Sequence, residues 1–334
     1  MEITTLIPAY KPKYLIDLLQ SFRNQTVKPA QIFISDDSPD RSFIKMLNSE
    51  PLKDLIKDLN ITSFQGPQLG AYNNIRHLMH LYNKSTKYFH ILNDDDFLYP
   101  NFYERHSAVH KDNNFSSVIS RRWTSNESGV PLRDLPVPDE INSNLNRVIT
   151  IDSDYLFQRT AALSMNWLGE FSNTTYQSFM IDEMDNPSLQ GVCFSGLEDL
   201  GSFLKSSLHT PVGYINEHLG YFRLSPDQHS AQTMGTPMKW AFLAYLGLAI
   251  SGNNIGKLSN DQCGLVLNNV IPLILYHFGS QQDLTEILSL LPSLQNNSDL
   301  DKANFLKSWH DYCGWSTRPS IENILSSVEM LSII

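Results

Sequence analysis

The stretch YFHILNDDDFLYP, residues 88–100, decides the fold. It begins with the aromatic and aliphatic residues of a buried strand and then runs into Asn93 and three consecutive carboxylates at 94–96. Adjacent carboxylates repel one another, so holding them against an apolar strand is unfavourable unless a cation neutralises them. Oxygen ligands of this kind suit Mg²⁺ or Mn²⁺, which complete their shells with water and phosphate oxygens. The stretch therefore predicts a strand that ends in a metal site, rather than a plain polar loop.

Strands and helices alternate through the first hundred residues. Short apolar runs at 3–7, 31–35, 60–64 and 88–92 predict strands, and helical spacing of apolar residues predicts helices at 14–22, 43–59 and 69–82. This order predicts a parallel, doubly wound α/β sheet with right-handed crossovers, in which ligands lie beyond the carboxyl ends of the strands. The polar strand ends would then share one crevice, and they comprise Pro8, Ala9, Tyr10, Asp36, Asp37 and the acids at 94–96.

The periodicity of apolar residues is weaker in the second half of the chain. We predict a helix at 101–110, a strand at 116–120, a long loop at 123–147, order at 149–171, a polar stretch at 173–188 and a helix at 196–208. Two short strands at 212–215 and 219–224 follow. From residue 237 only helices are predicted, at 238–250, 262–278, 284–291 and 300–312, with breaks at Gly252, Gly279 and Pro292. We therefore expect a first domain over 1–235 and a helical region over 236–334.

The composition of the chain argues against several classes of function. The net charge of −10 argues against nonspecific binding to nucleic acid, which needs a basic face. Cys193, Cys263 and Cys313 show no CxxC spacing, so we predict neither a disulfide framework nor a zinc site, and a reducing cytoplasm as the setting. The amino terminus lacks the pattern of a signal peptide, and the most apolar windows are too short or too interrupted to span a bilayer. We expect no transmembrane helix.

Several motifs occur in a characteristic order. They are LIPAY at 6–10, QTVKP at 25–29, DDSPD at 36–40, Gly70 with Asn74 and Arg76, LNDDD at 92–96, the segment 157–171 ending in GEF, SGLEDL at 195–200 and YFRLSPDQHS at 221–230. In this order, over roughly residues 3–230, the chain resembles the family 2 glycosyltransferases of GT-A fold, with LNDDD as the DxD-type motif. The resemblance implies a doubly wound mixed sheet with a C-terminal all-helical extension. It also implies a nucleotide-sugar binding half over 1–115 and an acceptor half over 116–235.

The resemblance implies an inverting, metal-dependent transfer of a sugar from a nucleotide-diphosphate sugar to a hydroxyl of a glycan, lipid-linked or protein acceptor. Bacterial polysaccharide or glycoconjugate synthesis is the common setting of such relatives, in the cytoplasm or at the inner face of the membrane. Negative charge develops on the departing diphosphate, so Mn²⁺ or Mg²⁺ there lowers the barrier. The acceptor hydroxyl must lose a proton, for which a carboxylate on the opposite side is suited.

The resemblance also assigns roles to residues. Asp96 with Asp94 or Asp95 would hold the ion, spacing alone leaving the pair open, and His229 is a further candidate ligand. Asp199, and after it Glu198, would be the base. The donor would be bound by Pro8, Ala9, Tyr10, Asp36, Asp37, Asp94 and Asp95, and oriented by Asn74 and Arg76.

Local alternatives remain for some of these residues. Asp36 and Asp37 could form only a helix-capping turn, and Glu198 and Asp199 could only complement a helix N-terminus. Trp123 and Trp167 could stack on an acceptor sugar or simply pack.

Two other functions compete. A sugar nucleotidyltransferase is disfavoured because LIPAYKP lacks the glycines of a triphosphate loop, and a noncatalytic nucleotide- or glycan-binding module would need no intact acids. The C-terminal helices could form a homo-oligomer or dock a partner.

Overall fold

Four parallel strands form the first half of the sheet. The computed structural model describes residues 2–226, 235–326 and 330–333, so the candidate ligand His229 lies outside the described residues. The strands lie in the order β3-β2-β1-β4, and all three neighbouring pairs are parallel. This confirms the α/β class expected from the alternating pattern. The strands are β1 (Ile3–Ala9), β2 (Gln31–Asp36), β3 (Ile61–Gln65) and β4 (Tyr88–Ile91), and the helices between them are α1 (Leu15–Arg23), α2 (Ser42–Leu47), α3 (Lys53–Ile56) and α4 (Ala71–Tyr82).

Both faces of these strands are covered, which explains their nearly continuous apolar sequence. In β1, Ile3 and Ile7 join one hydrophobic cluster and Leu6 joins the other, as expected from the alternation of side chains along a strand. The helix α1 buries Leu15, Leu18, Leu19 and Phe22 against the same cluster as Ile3 and Ile7. Each such side chain contributes roughly 1.5–3 kcal/mol when fully buried.

The helix predicted at 43–59 is wrong as a single element. Pro51 lies in a short 3-10 turn, Glu50–Leu52, between α2 and α3. Proline has no backbone N–H, and it disfavours helical geometry in the residue before it, so α2 cannot continue through this point.

The sheet continues through a strand that the sequence analysis did not predict. The stretch 173–188 was expected to be polar and irregular, but β9 (Thr174–Gln177) lies antiparallel between β4 and β6 (Ser117–Ser125). Thr174, Thr175 and Tyr176 are fully buried there. Threonine is β-branched and suits a strand, so the polar composition concealed a central element.

Other strands extend the second half. The predicted loop at 123–147 is wrong at its beginning, where β6 continues to Ser125 and pairs with β7 (Pro131–Asp134). The two strands predicted at 212–215 and 219–224 are one strand, β12 (Val212–Arg223), whose register against β6 shifts on either side of His218. The remaining elements of this half are β5 (Phe97–Leu98), α5 (Phe102–Asp112), β8 (Val148–Ile151), α6 (Ser153–Arg159), α7 (Met180–Asp185), β10 (Ser188–Leu189), β11 (Val192–Cys193) and α8 (Glu198–His209).

The C-terminal region is helical except at its end. Gly252 and Pro292 lie inside helices and do not break them. A final strand, which the all-helical expectation missed, pairs antiparallel with β3 at the sheet edge. The elements are α9 (Thr236–Asn254), α10 (Asn260–Phe278), α11 (Thr285–Leu294), α12 (Asp299–Tyr312), α13 (Ile321–Leu325) and β13 (Met330–Ile333).

The C-terminal helices share a core with the sheet. One hydrophobic cluster contains Leu6 and Phe157 together with Leu243 and Trp309. The indole Nε1 of Trp309 donates a hydrogen bond to the carbonyl of Cys193 at 2.9 Å. The division at residue 235 stays a prediction, and no helix in the described part of the chain is long and apolar enough to cross a membrane.

Candidate active site

The carboxyl ends of the parallel strands meet, as expected for a doubly wound sheet. The backbone N–H of Asp37, just after β2, donates to the carbonyl of Ala9 at 2.8 Å. Asp94 Oδ2, just after β4, accepts hydrogen bonds from the backbone N–H groups of Tyr10 at 2.7 Å and Lys11 at 2.9 Å. Tyr10 is 51% exposed and presents its ring beside this junction. Asp94 therefore joins the acid triplet to the end of β1.

Asp36 and Asp37 have different surroundings. Asp36 is buried, and its two oxygens accept from the Ser38 N–H and hydroxyl and from the Ile44 N–H. Its contacts are those of the turn-capping alternative. Asp37 Oδ1 accepts from the Gln68 N–H, and a Cβ at Gly66 would lie 2.6 Å from that oxygen, so this position requires glycine. Burial raises the pKa of Asp37, against the lowering effect of the Gln68 N–H.

Asp96 is the most deeply held acid of the triplet. Its Oδ2 accepts from the Ser172 hydroxyl at 2.5 Å, and its Oδ1 accepts from the Arg223 N–H at 3.1 Å. Burial and, after it, the charge of Asp95 hold the pKa of Asp96 well above its usual range. Burial and the charge of Asp95 also raise the pKa of Asp94 to about 7. Burial and mutual repulsion thus both disfavour the charged forms of these acids, and a bound cation would stabilise those forms.

The carboxylates of the triplet fit a metal ion that takes most of its ligands from phosphate oxygens and water. Within residues 2–226, 235–326 and 330–333, no three His, Cys, Asp or Glu side chains are grouped closely enough to hold a metal alone. Mg²⁺ in particular uses one or two carboxylates together with phosphate oxygens and water. Asp96 is buried, whereas Asp94 and Asp95 are partly exposed. An ion that approaches from solvent would therefore reach the carboxylates of Asp94 and Asp95 more readily than that of Asp96.

Arg223 fixes the triplet from the end of β12. Its guanidinium is 1% exposed and donates to the Asp95 carbonyl at 2.8 Å and to Asp17 Oδ2 at 2.8 Å. It also lies over the Tyr14 ring, 4.1 Å from the centroid. The YFR motif contained this residue, but the sequence analysis gave it no role.

A second acidic group lies at the start of α8. Asp199 Oδ1 accepts from the Leu200 N–H at 2.7 Å, in the first turn of the helix. Burial and, after it, the charge of Glu170 raise the pKa of Asp199 to about 7. Burial also raises the pKa of Glu198. A carboxylate that titrates near neutral pH is suited to accept a proton from a hydroxyl during reaction.

Glu170, which was not predicted as a site residue, interacts electrostatically with both acidic groups. Its charge raises the pKa of both Asp96 and Asp199, so it lies near each of them. Arg122 on β6 holds it in a two-bonded ion pair, with Nε donating to Oε2 at 2.8 Å. The signal available in the sequence was its position between Gly169 and Phe171 in the GEF turn.

The C-terminal region supports the start of α8. Gly196 has a φ of +93°, and a Cβ there would lie 2.7 Å from Trp240 Cβ, so α9 packs directly on the turn before Glu198. Tyr245 on α9 is close enough to Asp199 that, after burial, the charge of Asp199 further raises the pKa of Tyr245. The helical region therefore helps to shape the second acidic group.

The remaining candidate residues are buried and contact other parts of the protein. Asn74 donates to the Ser35 carbonyl at 3.0 Å. Arg76, expected to orient the donor or to be solvated, is instead buried, where it pairs with Asp185 at 2.9 Å and donates to the Pro319 carbonyl at 2.9 Å. These contacts give Arg76 a structural role that links α4 to α7 and to the C-terminal region. Trp167 is buried in the core.

The fold defines a class of protein: it is a GT-A fold, with an acid triplet at the strand ends and a second acidic group at the start of α8. Residues 4–169 match the model of glycosyl transferase family 2. Residues 4–169 therefore form a domain of the family 2 glycosyltransferases.

Solved structures share the fold. S. aureus TarS superposes with a TM-score of 0.56 at 12% identity, covering 97% of this chain and 54% of that one. TarS 1-349 in complex with UDP gives 0.54 at 12% identity, and the complex with UDP-GlcNAc gives 0.52 at 13%, each covering 94% of this chain and 92% of that one. The chain thus spans about half the length of the first TarS chain, 54%. At these identities the likeness is one of fold, and no curated protein matches the sequence.

Proposed function

We propose that the protein is an inverting, metal-dependent glycosyltransferase that moves a sugar from a nucleotide-diphosphate sugar to an acceptor hydroxyl. One observation carries this proposal. Asp199 lies in the first turn of α8 with its pKa raised to about 7 by burial and then by Glu170, and the charge of Glu170 also raises the pKa of Asp96 in the acid triplet. A base and a diphosphate site on the two sides of one reacting carbon are what a single in-line displacement requires.

The chain's own residues would act as follows. Asp199 accepts the proton of the acceptor hydroxyl as the hydroxyl attacks the anomeric carbon. Glu198 is the alternative base, and Glu170 keeps the affinity of Asp199 for protons high. Asp95, with Asp94, would hold Mn²⁺ or Mg²⁺, and Asp96 fixes the loop through Ser172 and Arg223. When bound, the ion supplies positive charge to the departing diphosphate.

The donor nucleoside would lie at the ends of β1 and β2. The exposed ring of Tyr10 can pack against a base, and the carboxylate of Asp37 can accept hydrogen bonds from a base N–H or a ribose hydroxyl. Because TarS 1-349, which shares the fold, is described in complex with UDP and with UDP-GlcNAc, a uridine donor is the first to test. The acceptor remains a glycan, a lipid-linked molecule or a protein.

Thermal stability in the presence of nucleotides tests this proposal. UDP, GDP, dTDP and CMP are each added with Mn²⁺, Mg²⁺ or EDTA, since a ligand that binds only the folded state raises the apparent stability. We expect UDP with metal to raise the Tm of the wild type and of Asp261→Asn, a control at an exposed position on α10, but not of Asp95→Asn. Release of UDP from a UDP-sugar by the wild type then measures turnover.

Two outcomes would contradict the proposal. If no nucleotide stabilises the protein with any metal, the donor site is not where we place it. If a nucleotide binds but no UDP-, GDP- or dTDP-sugar is ever turned over, the chain is a binding module rather than a transferase.

A further inference from the structure

Apart from the candidate active site, the protein has a cavity between β6, β12 and the segment 142–146. Its volume is about 590 Å³, within the range of roughly 300–1,000 Å³ found for ligand pockets. Its walls include Trp123, Asp134, Asn144 and His218, and every lining residue belongs to the described part of the chain. We call it the β6–β12 cavity.

This cavity is on the other face of β6 from the active-site ion pair. Successive side chains of a strand point to opposite faces. Arg122 faces Glu170, whereas its neighbours Arg121 and Trp123 both line the cavity. The cavity is therefore separate from the carboxylates that take part in the transfer reaction proposed above.

One wall of the cavity carries two stacked aromatic rings. The rings of Trp123 and His218 are stacked, with centroids 3.9 Å apart and planes 9° apart. His218 Nε2 is 2.9 Å from Asp134 Oδ1, which holds the imidazole in place. The imidazole covers one face of the indole, so the C–H side of a pyranose would pack on the opposite indole face.

The other walls carry planar polar groups. Asn142, Asn144 and Asn146 contribute exposed amides from one segment, and that segment is held by Asn216, whose amide donates to the carbonyls of Ser143 and Leu145 at 2.7 Å each. An amide both donates and accepts, as a sugar hydroxyl does.

The charged side chains of the cavity already have partners. Arg121 forms an ion pair with Asp134 and also donates to Asn216 Oδ1 at 3.1 Å. Glu217 is paired with Arg105, which lies outside the cavity lining. Because the guanidinium in the lining already has an anionic partner, the cavity favours a neutral, hydroxyl-rich ligand over a phosphate.

We propose that the β6–β12 cavity is a carbohydrate-binding site that holds a neutral pyranose unit through Trp123 and the surrounding amides. It would hold one unit of a glycan while another part of the same chain reaches the active site, which raises the local concentration of that acceptor. This use rests on the proposed glycosyltransferase reaction, but binding of the sugar does not.

Saturation-transfer NMR tests the site on the full chain without nucleotide. The probes are the methyl glycosides of glucose, galactose, mannose and N-acetylglucosamine. We expect saturation of the ring C–H protons of at least one of them with the wild type. Trp123→Ala should weaken that binding roughly tenfold. Asn144→Trp, a change at an exposed position that fills the cavity, should do the same without disturbing the core, and Asn296→Trp on the remote C-terminal region should leave binding unchanged.

The result for the carbohydrate site can be distinguished from the result for the proposed donor site. Stabilisation by UDP and metal should be the same in all three variants, so its failure in the wild type would contradict the donor site without affecting the sugar result. The carbohydrate site is wrong if none of the four glycosides is saturated, or if saturation is unchanged in Asn144→Trp.

Discussion

Asp199 owes its character to its neighbours. Its position in the first turn of α8 would by itself favour the charged form, because the helix N-terminus attracts negative charge. Burial and Glu170 outweigh that attraction and raise the pKa of Asp199 to about 7. An exposed aspartate at a helix start would be ionised throughout the neutral range, and it would be a weaker base.

The pH dependence of the reaction follows from this pKa. A base works in its deprotonated form, so kcat/KM should rise with pH and level off above about pH 7. Asp199→Asn should lower kcat by roughly 10²–10⁴-fold and abolish that pH step, while the donor still binds.

Glu198→Gln is the matched control for this prediction. It changes the adjacent carboxylate and should keep the pH step. Activity that survives in Asp199→Asn but is lost in Glu198→Gln would instead make Glu198 the base.

At the scale of elements, β9 depends on α5. Thr175 Oγ1 lies 2.9 Å from His106 Nδ1 and 2.9 Å from His110 Nε2, and all three side chains are buried. Burial, and then the charges of His110 and His90, hold the pKa of His106 well below its usual range. The folded protein therefore keeps this imidazole neutral where the unfolded chain would protonate it.

This contact predicts a specific loss of stability in acid. Since the unfolded chain binds the extra proton below its pKa of about 6.5, wild-type stability contributed by His106 is present above that pH and is lost as the pH falls. The difference in unfolding free energy between wild type and His106→Gln should thus shrink by up to about 1.4 kcal/mol per pH unit below 6.5.

Urea unfolding between pH 7.5 and pH 5 measures this difference. His277→Gln is the matched control, because it makes the same change at an exposed position on α10. A pH-independent difference for His106→Gln would mean that the imidazole is not held neutral.

At the scale of the whole molecule, the helical region and the sheet are built on one hydrophobic cluster. Leu243, Leu246 and Ile250 of α9 belong to the same cluster as Phe157 and Leu197. Removing the helices would expose many such side chains, each worth roughly 1.5–3 kcal/mol when buried. A whole domain is stable by only about 5–15 kcal/mol.

We therefore expect a fragment of residues 1–235 to lack a cooperative thermal transition, although its boundary matches the predicted domain division. Deletion of 327–334 is the comparison, because it removes the edge strand β13 but leaves the shared cluster. That shorter chain should fold with a lower Tm than the full one. Cooperative melting of fragment 1–235 near the Tm of the full chain would show that the first domain is independent.

Local pattern was sufficient for much of the fold. The strands β1 to β4 and the helices α1, α4, α8 and α10 follow from apolar spacing that short segments carry themselves. The placement of the acid triplet at a strand end follows in the same way, because a parallel sheet brings its carboxyl ends to one edge. The sequence by itself thus determined the class of fold and the edge of the sheet at which the acids lie.

Only the tertiary structure decided which polar groups surround those acids. Asp96 turns inward because Ser172 and the Arg223 N–H, 76 and 127 residues away, reach it. Arg76 is held by Asp185, 109 residues away, and the sulfur of Cys313 lies 3.6 Å from that of Cys193. The buried polar strand β9 likewise depends on histidines of α5. Such partners are distant in the chain and leave no periodic signal, so the pairing of charges and buried polar groups emerges only when the chain is folded.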